Sequence, residues 1–174
     1  MTDLRIAVIG SHGSGKSILS KLLSEELSLP LITEVARTFK KEQLNPSNPS
    51  YLSIQKEILR LQIQEESLHK KYVSDRSTID NLSYYLYNCY DIASDIENNA
   101  YLSHAINNTL NYTHIFLLRP EFLIIDDNFR STDILYQHNI DIVIKCILQL
   151  YNIKYYMLAG NTESRMKKAL EILL

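Results

Sequence analysis

Leu4 to Ile9 is a short, nearly all-apolar, β-rich run that leads straight into Gly10-Ser-His-Gly-Ser-Gly15-Lys16-Ser17. Such a run is what a strand covered by helices on both faces requires, and that environment belongs to parallel sheets. Beyond the loop, Ile18, Leu19, Leu22, Leu23 and Leu27 recur at helical spacing and predict an amphipathic helix. The eight loop residues fit G-x-x-x-x-G-K-[ST] in full, between a strand and a helix as that pattern needs. Glycines let backbone amides turn inward on phosphate oxygens, and the helix N-terminus adds partial positive charge. Gly10, Ser11, His12, Gly13, Ser14, Gly15, Lys16 and Ser17 are therefore the candidate nucleotide-binding residues, with Lys16 aimed at the β and γ phosphates and Ser17 at Mg²⁺. His12 occupies a variable position of the pattern. It reads as a backbone-positioning or adenine-side residue, with imidazole catalysis as a further alternative.

The rest of the chain alternates strands and helices. Pro30-Leu-Ile-Thr33 predicts a brief second strand that delivers Glu34 at its tip, and Arg37 to Leu44 reads as polar and partly helical. Asn45-Pro-Ser-Asn-Pro-Ser50 is a loop, since its prolines and asparagines disfavour continuation of helix or sheet. A long helix is expected from about Tyr51 to Lys70, with Ile54, Ile58, Leu61 and Leu68 near one face. Tyr72 to Asp75 predicts a strand, Ile79 to Cys89 a packed helix, and Ile92 to Leu110 another. Thr113 to Leu118 is a buried-strand candidate, followed by a surface excursion over Glu121 to Ser131 and a helix from about Thr132 to Leu150. Ile153 to Leu158 supplies a fifth strand, Gly160-Asn161 a turn, and Glu163 to Leu174 a closing helix. The pattern predicts one three-layer α/β domain over 1–174 with a mostly parallel five-stranded sheet, acceptor-side helices within about 45–110 and a flap at about 119–131.

Composition excludes several partners. Eighteen Lys plus Arg against 20 Asp plus Glu give a net charge of -2 with no long run of either sign, so duplex nucleic acid and anionic membranes are not expected. The apolar N-terminal stretch is interrupted by Arg5 and is too short for a membrane span or a signal peptide, which leads to a cytoplasmic expectation. Cys89 and Cys146 are too few for a disulfide scaffold and read as reduced core thiols. The oligomeric state is open, a homodimer included.

A phosphate loop alone does not separate a kinase from other NTPases; the polar strand ends do. An Asn-Lys-x-Asp guanine motif is missing from the chain, and Ile124-Ile-Asp126-Asp127 offers only a second reading as the acidic strand end of an ATPase machine. Glu34 is placed to accept a proton from an attacking hydroxyl, while Arg37, three residues on, steadies a bound anion or the base itself; a surface ion pair is the alternative. Asp75 follows the third strand as a candidate for a Mg²⁺-bound water, and Arg76 offers a planar fork for phosphate or a sugar hydroxyl. Ser77 and Asp80 have capping-box spacing, which is compatible with nucleotide or substrate contact. Arg119 and Arg130 flank the excursion and are expected to close over the triphosphate, with Asp126 and Asp127 pinning Arg130 or sensing the substrate; a solvated charged loop is the alternative. Tyr84, Tyr85 and Tyr87 are candidates to stack on a ring, or else to pack a helix on the core. Gly160 and Asn161 neighbour the ATP base by position.

At these residues the chain resembles the P-loop nucleoside and nucleoside-monophosphate kinase superfamily, most closely the AAA-type domain family that includes the ribosylnicotinamide kinase domain of bacterial NAD-metabolism regulators. The matching segments are residues 10–17, Thr33 to Arg37, Asp75 to Asp80, the Asp-Asp-Gly-x-Arg-like run Asp126 to Arg130, and Gly160 to Arg165, in the family order. Asn128 departs from the glycine usual in the flap. The resemblance implies a P-loop fold and an ATP and Mg²⁺ dependent kinase of nicotinamide riboside or a deoxynucleoside, with a nucleoside monophosphate or a partner-regulated ATPase as alternatives. It implies that Glu34 or Asp75 serves the hydroxyl and Mg²⁺, that Arg76 serves the phosphates or acceptor, and that Arg130 serves the flap. The expected substrate-binding set is Glu34, Arg37, Asp75, Arg76, Asp80, Tyr84 and Asp127; the expected metal-binding pair is Ser17 and Asp75. Without nucleotidyltransferase and DNA-binding domains, the expectation is a stand-alone salvage kinase.

Overall fold

The structure, a computed structural model, describes residues 3–120 and 133–173. Five strands, β1 (Arg5–Ile9), β2 (Leu31–Ile32), β3 (Tyr72–Asp75), β4 (His114–Leu118) and β5 (Tyr156–Leu158), form one sheet in the order β2-β3-β1-β4-β5. Every pairing is parallel, with Val8 opposite both Asp75 and Phe116. The strands are joined through six helices: α1 (Lys16–Leu27), α2 (Tyr51–Ser67), α3 (Thr78–Cys89), α4 (Asp95–Thr109), α5 (Ile134–Leu150) and α6 (Thr162–Leu173). The polar stretch after β2 forms two single 3₁₀ turns, Val35–Thr38 and Lys41–Leu44.

Strand alternation splits the core in two. Ala7 and Ile9 of β1 pack with Ile115 and Leu117 of β4 against α2 to α5, while Ile6 and Val8 pack with Val73, Phe116 and Leu118 against Leu19 and Leu23 of α1 and Ala169 of α6. This sandwich is the three-layer α/β arrangement that the sequence pattern predicts. Because the strands run parallel, their carboxyl ends share one edge, which is where open α/β sheets bind ligands.

Several expectations need correction. Ile18 is 59% exposed and Leu22 36%, because the side of α1 that meets the sheet carries Leu19 and Leu23, with Leu27 at its end. The buried face of α2 is Tyr51, Gln55, Ile58, Leu59, Gln62 and Glu66, and Leu68 lies exposed beyond the helix end. This face is partly polar since it covers polar groups of β3 and α4, a contact hydrophobic periodicity cannot register. Cys89 is a buried thiol as expected, but Cys146 sits on the exposed side of α5. Helix α4 starts later than Ile92 suggests, at a capping box in which Ser94 Oγ accepts from Glu97 N and Glu97 accepts from Ser94 N. No helix among the described residues is long and apolar enough to cross a membrane.

Candidate active site

The site is assembled at the carboxyl edge of the sheet. The loop after β1 requires glycine at position 10: its φ is +146°, and a Cβ there would lie 2.2 Å from the Leu118 carbonyl oxygen. Gly15 takes φ 91° immediately before α1, and no side chain caps that helix. Helices α3, α4 and α5, by contrast, are capped by Ser77, Ser94 and Asp133. The amides at the start of α1 thus meet no capping side chain and no first-turn acid, the condition for an anion cradle.

The loop is held from several sides. Gly10 N donates to Asp80 Oδ1 at 3.0 Å, Gln137 Nε2 donates to the His12 carbonyl at 2.6 Å, and Arg165 Nη1 donates to the Ser14 carbonyl at 2.7 Å. Lys16, buried in this state, donates from Nζ to the Ser11 carbonyl at 2.7 Å and to Ser14 Oγ at 3.4 Å. Ser17 opens to the surface in the first turn of α1.

The acceptor candidates come from β2 and β3. Glu34 is 4% exposed and accepts from Arg76 Nε on Oε1 at 2.5 Å and from Arg37 Nε on Oε2 at 3.0 Å. Arg37 remains 45% exposed along its side chain, whereas Arg76 is buried. Arg76 takes φ 93°, an unusual conformation for a residue with a side chain, at the turn between β3 and α3. Its guanidinium lies 5.2 Å from the centre of the Tyr84 ring and 3.9 Å from Asp80 Oδ1. Burial works against the Arg76 charge, yet the surrounding groups, Glu34 first, more than offset it and hold the group protonated.

Asp75 closes β3, two residues from Val73, which packs on the α1 side of the sheet; alternation gives Asp75 that same side. Its Oδ1 is buried with no hydrogen-bond partner. Together with the Ser17 hydroxyl in the first turn of α1, an oxygen donor of this kind has the chemistry that suits Mg²⁺. Ser77 caps α3, accepting on Oγ from Ile79 N at 3.0 Å and from Asp80 N at 3.4 Å. Asp80 completes the box by accepting from Ser77 N at 2.9 Å while its other oxygen holds Gly10. Burial raises the Asp80 carboxyl above its ordinary range, with Lys16 and Arg76 acting in the opposite direction.

The remaining candidates separate. Arg119 Nη2 donates to Asp141 Oδ2 at 3.3 Å, and the Arg119 carbonyl accepts from Arg165 at 3.5 Å. Gly160 takes φ 87°, and Asn161 Oδ1 accepts from Ser164 N at 2.9 Å, so this pair shapes the start of α6. Of the three tyrosines, Tyr84 reaches the loop, Tyr87 lies exposed against Tyr136, and Tyr85 is buried, stacked on Tyr101 at 3.7 Å with its hydroxyl donating to Asn98. Tyr85 is thereby a core residue that packs α3 on α4, the second of its two expected readings. The His12 side chain turns to Tyr84 and Tyr136 of α3 and α5. Asp126, Asp127 and Arg130 lie outside the described residues, as does the rest of the expected flap at 121–131.

Sequence reasoning missed Gln137, Asp141, Tyr136 and Asn88, and placed Arg165 only through resemblance. A signal existed for two of them: Gln137 and Asp141 are four residues apart on the apolar, buried face of α5.

A family model described as "AAA domain" matches residues 5–165. The chain belongs to this AAA domain family. The expected resemblance therefore holds over nearly the whole chain. No curated protein sequence matches it. Among solved structures, the NadR protein in complex with NR is similar at 15% identity and a TM-score of 0.78, covering 99% of this chain and 51% of the other. The chain thus spans about half the length of that protein. Deoxyadenosine kinase from M. mycoides, with products dCMP and dCDP, is similar at 13% identity and a TM-score of 0.73, with 97% of each chain covered. Thymidylate kinase from Ehrlichia chaffeensis is similar at 16% identity and a TM-score of 0.64, with 99% of each chain covered. At these identities the likeness is one of fold, a P-loop kinase fold with its parallel sheet and phosphate loop.

Proposed function

We propose that this AAA domain protein is an ATP-dependent small-molecule kinase that transfers the γ-phosphoryl group to the 5′-hydroxyl of a nucleoside-like acceptor, nicotinamide riboside or a deoxynucleoside. The observation that carries the proposal is the buried Glu34 to Arg76 pair beside a phosphate loop to which it is joined through Asp80. A carboxylate held by a guanidinium next to the phosphate loop suits a base for an attacking hydroxyl, and the Tyr84 ring beside it supplies a flat wall for a ring-bearing acceptor. The fold shared with nucleoside and nucleotide kinases supports the same reading.

In this mechanism the loop amides and Lys16 hold the β and γ phosphates of ATP in line with the acceptor. Mg²⁺, when bound, neutralises phosphoryl charge. Ser17 and Asp75 are the residues that would hold it. Glu34 takes the hydroxyl proton as the oxygen attacks phosphorus and the bond to the ADP oxygen breaks. Arg76 and Arg37 keep the Glu34 carboxylate oriented, and Arg76 stabilises charge on the transferring group. A nucleoside monophosphate is the second acceptor class, favoured by the half-exposed Arg37 at the same carboxylate.

The test is product formation with ATP and Mg²⁺ across nicotinamide riboside, the common nucleosides and their monophosphates, read by mass spectrometry. One acceptor gaining about 80 Da, a phosphoryl group, supports the proposal and names the acceptor. ATP hydrolysis without any phosphorylated acceptor would transfer the assignment to a partner-regulated ATPase.

A further inference from the structure

His12 has the position of an ordinary spacer in the phosphate loop, yet the residue is only 2% exposed and its side chain reaches across to Tyr84 of α3. Its Nδ1 and the Tyr84 hydroxyl share a hydrogen bond of 3.0 Å, and its ring centre lies 5.6 Å from that of Tyr136. The same Tyr84 ring lies under the Arg76 guanidinium, which is bonded to Glu34. A continuous series of contacts therefore runs from Glu34 through Arg76 and Tyr84 to His12, inside the loop that cradles the donor phosphates.

The surroundings make this series stiff. Asn88 Nδ2 donates to the Tyr84 carbonyl at 2.8 Å and to the Tyr136 hydroxyl at 2.9 Å, fixing α3 against α5. The His12 backbone is held separately by Gln137 of α5, so the residue is gripped at both its carbonyl and its imidazole. Any displacement of the Tyr84 hydroxyl would be passed to His12, whose side chain it bonds and whose backbone is part of the loop.

We infer that His12 is a positioning residue which, through the Tyr84 hydroxyl, couples occupancy of the acceptor side to the shape of the phosphate loop. Acceptor and ATP then bind cooperatively, each raising the affinity for the other by the same factor, as linkage requires. This rests on the kinase reading and adds to it a specific origin for communication between the two substrates.

The experiment measures the dissociation constant of AMP-PNP with the full chain, alone and with each acceptor that the product screen finds phosphorylated. In the unaltered protein the acceptor should tighten AMP-PNP about fivefold or more. Tyr84→Phe keeps the ring and removes only the hydroxyl; His12→Phe keeps a ring and removes the nitrogens. Both should bring the factor close to one, and the double variant should lose nothing further. His12→Asn, which keeps a polar atom near Nδ1, should restore a large part of it. A merely structural role would weaken AMP-PNP binding in the variants while leaving the factor intact, and that result overturns the inference. A phosphorylated acceptor that never alters AMP-PNP affinity in the unaltered protein overturns it too, with the kinase reading untouched. Absence of any phosphorylated acceptor removes both.

Discussion

Replacing Lys16 with Ala should lower ATP turnover about 100-fold or more, because it removes the cation aimed at the donor phosphates. Steady-state kinetics with ATP as the varied substrate measures the loss. Glu34→Gln tests the proposed base: phosphoryl transfer to the acceptor should fall about 100-fold or more, with AMP-PNP affinity changed far less. Unchanged acceptor turnover would remove Glu34 from the chemistry. Arg76 carries a structural burden as well, since its loss takes the buried guanidinium away from the buried Glu34 carboxylate. Arg76→Ala is expected to cost about 3 kcal/mol of stability, read by urea denaturation. Residues of this kind differ in how far a sequence reveals them. Glu34 and Arg37 are three apart and their pairing is local, whereas Arg76 is 42 residues from Glu34. Tyr84 and Tyr85 are consecutive, yet a helical step of about 100° sends one to the loop and the other to the core. No property of either side chain announces which.

At the level of elements, α3 joins the Arg76 and Tyr84 side of the site to the loop after β1, through Asp80 on Gly10 and Tyr84 on His12. Its capping box, Ser77 with Asp80, was legible from spacing, and the structure bears it out. The second duty of Asp80, holding Gly10 N, was not, because the two residues are 70 apart in sequence. Asp80→Ala should therefore cost about 2 kcal/mol or more, the cap and the Gly10 acceptor together, and should also weaken ADP binding. Asp133→Ala at the α5 cap offers the comparison: about 1 kcal/mol, from loss of a cap to Leu135 N and Tyr136 N. Thermal or urea unfolding of the two variants, with ADP titration, separates a cap from a cap that also shapes the loop. Helix α2 shows the opposite limit. Its existence and the burial of Ile58 were readable from periodicity, but the polar part of its buried face was not, since Gln62 and Glu66 turn inward.

For the molecule as a whole, those inward residues form a polar joint across α2, β3 and α4. Glu66 accepts from Gln62 at 2.7 Å, Asn108 at 2.6 Å and the Tyr112 hydroxyl at 2.8 Å, and the Tyr112 oxygen in turn accepts from Thr78 N at the start of α3. Glu66→Ala leaves these donors without their acceptor and should cost about 3 kcal/mol. Burial raises the Glu66 carboxyl above its ordinary range, against the pull of these hydrogen bonds. The folded state thus holds the proton more tightly than the unfolded chain, so the Glu66 contribution to stability is fully present below the unfolded carboxylate value. It declines as pH rises from there through the raised folded value. Glu66→Gln, which cannot titrate, should remove that decline from the pH profile of urea unfolding. The strand and loop at the N-terminus, the alternation of strands and helices, and the Ser77 cap were all legible in the sequence, because each depends on neighbours within a helical turn or a strand. The tertiary structure alone decided which polar groups meet: His12 with Gln137, 125 residues away, and Ser14 with Arg165, 151 away. Such contacts arise when a parallel sheet brings its strand ends to one edge, and neither partner carries a local mark of the other.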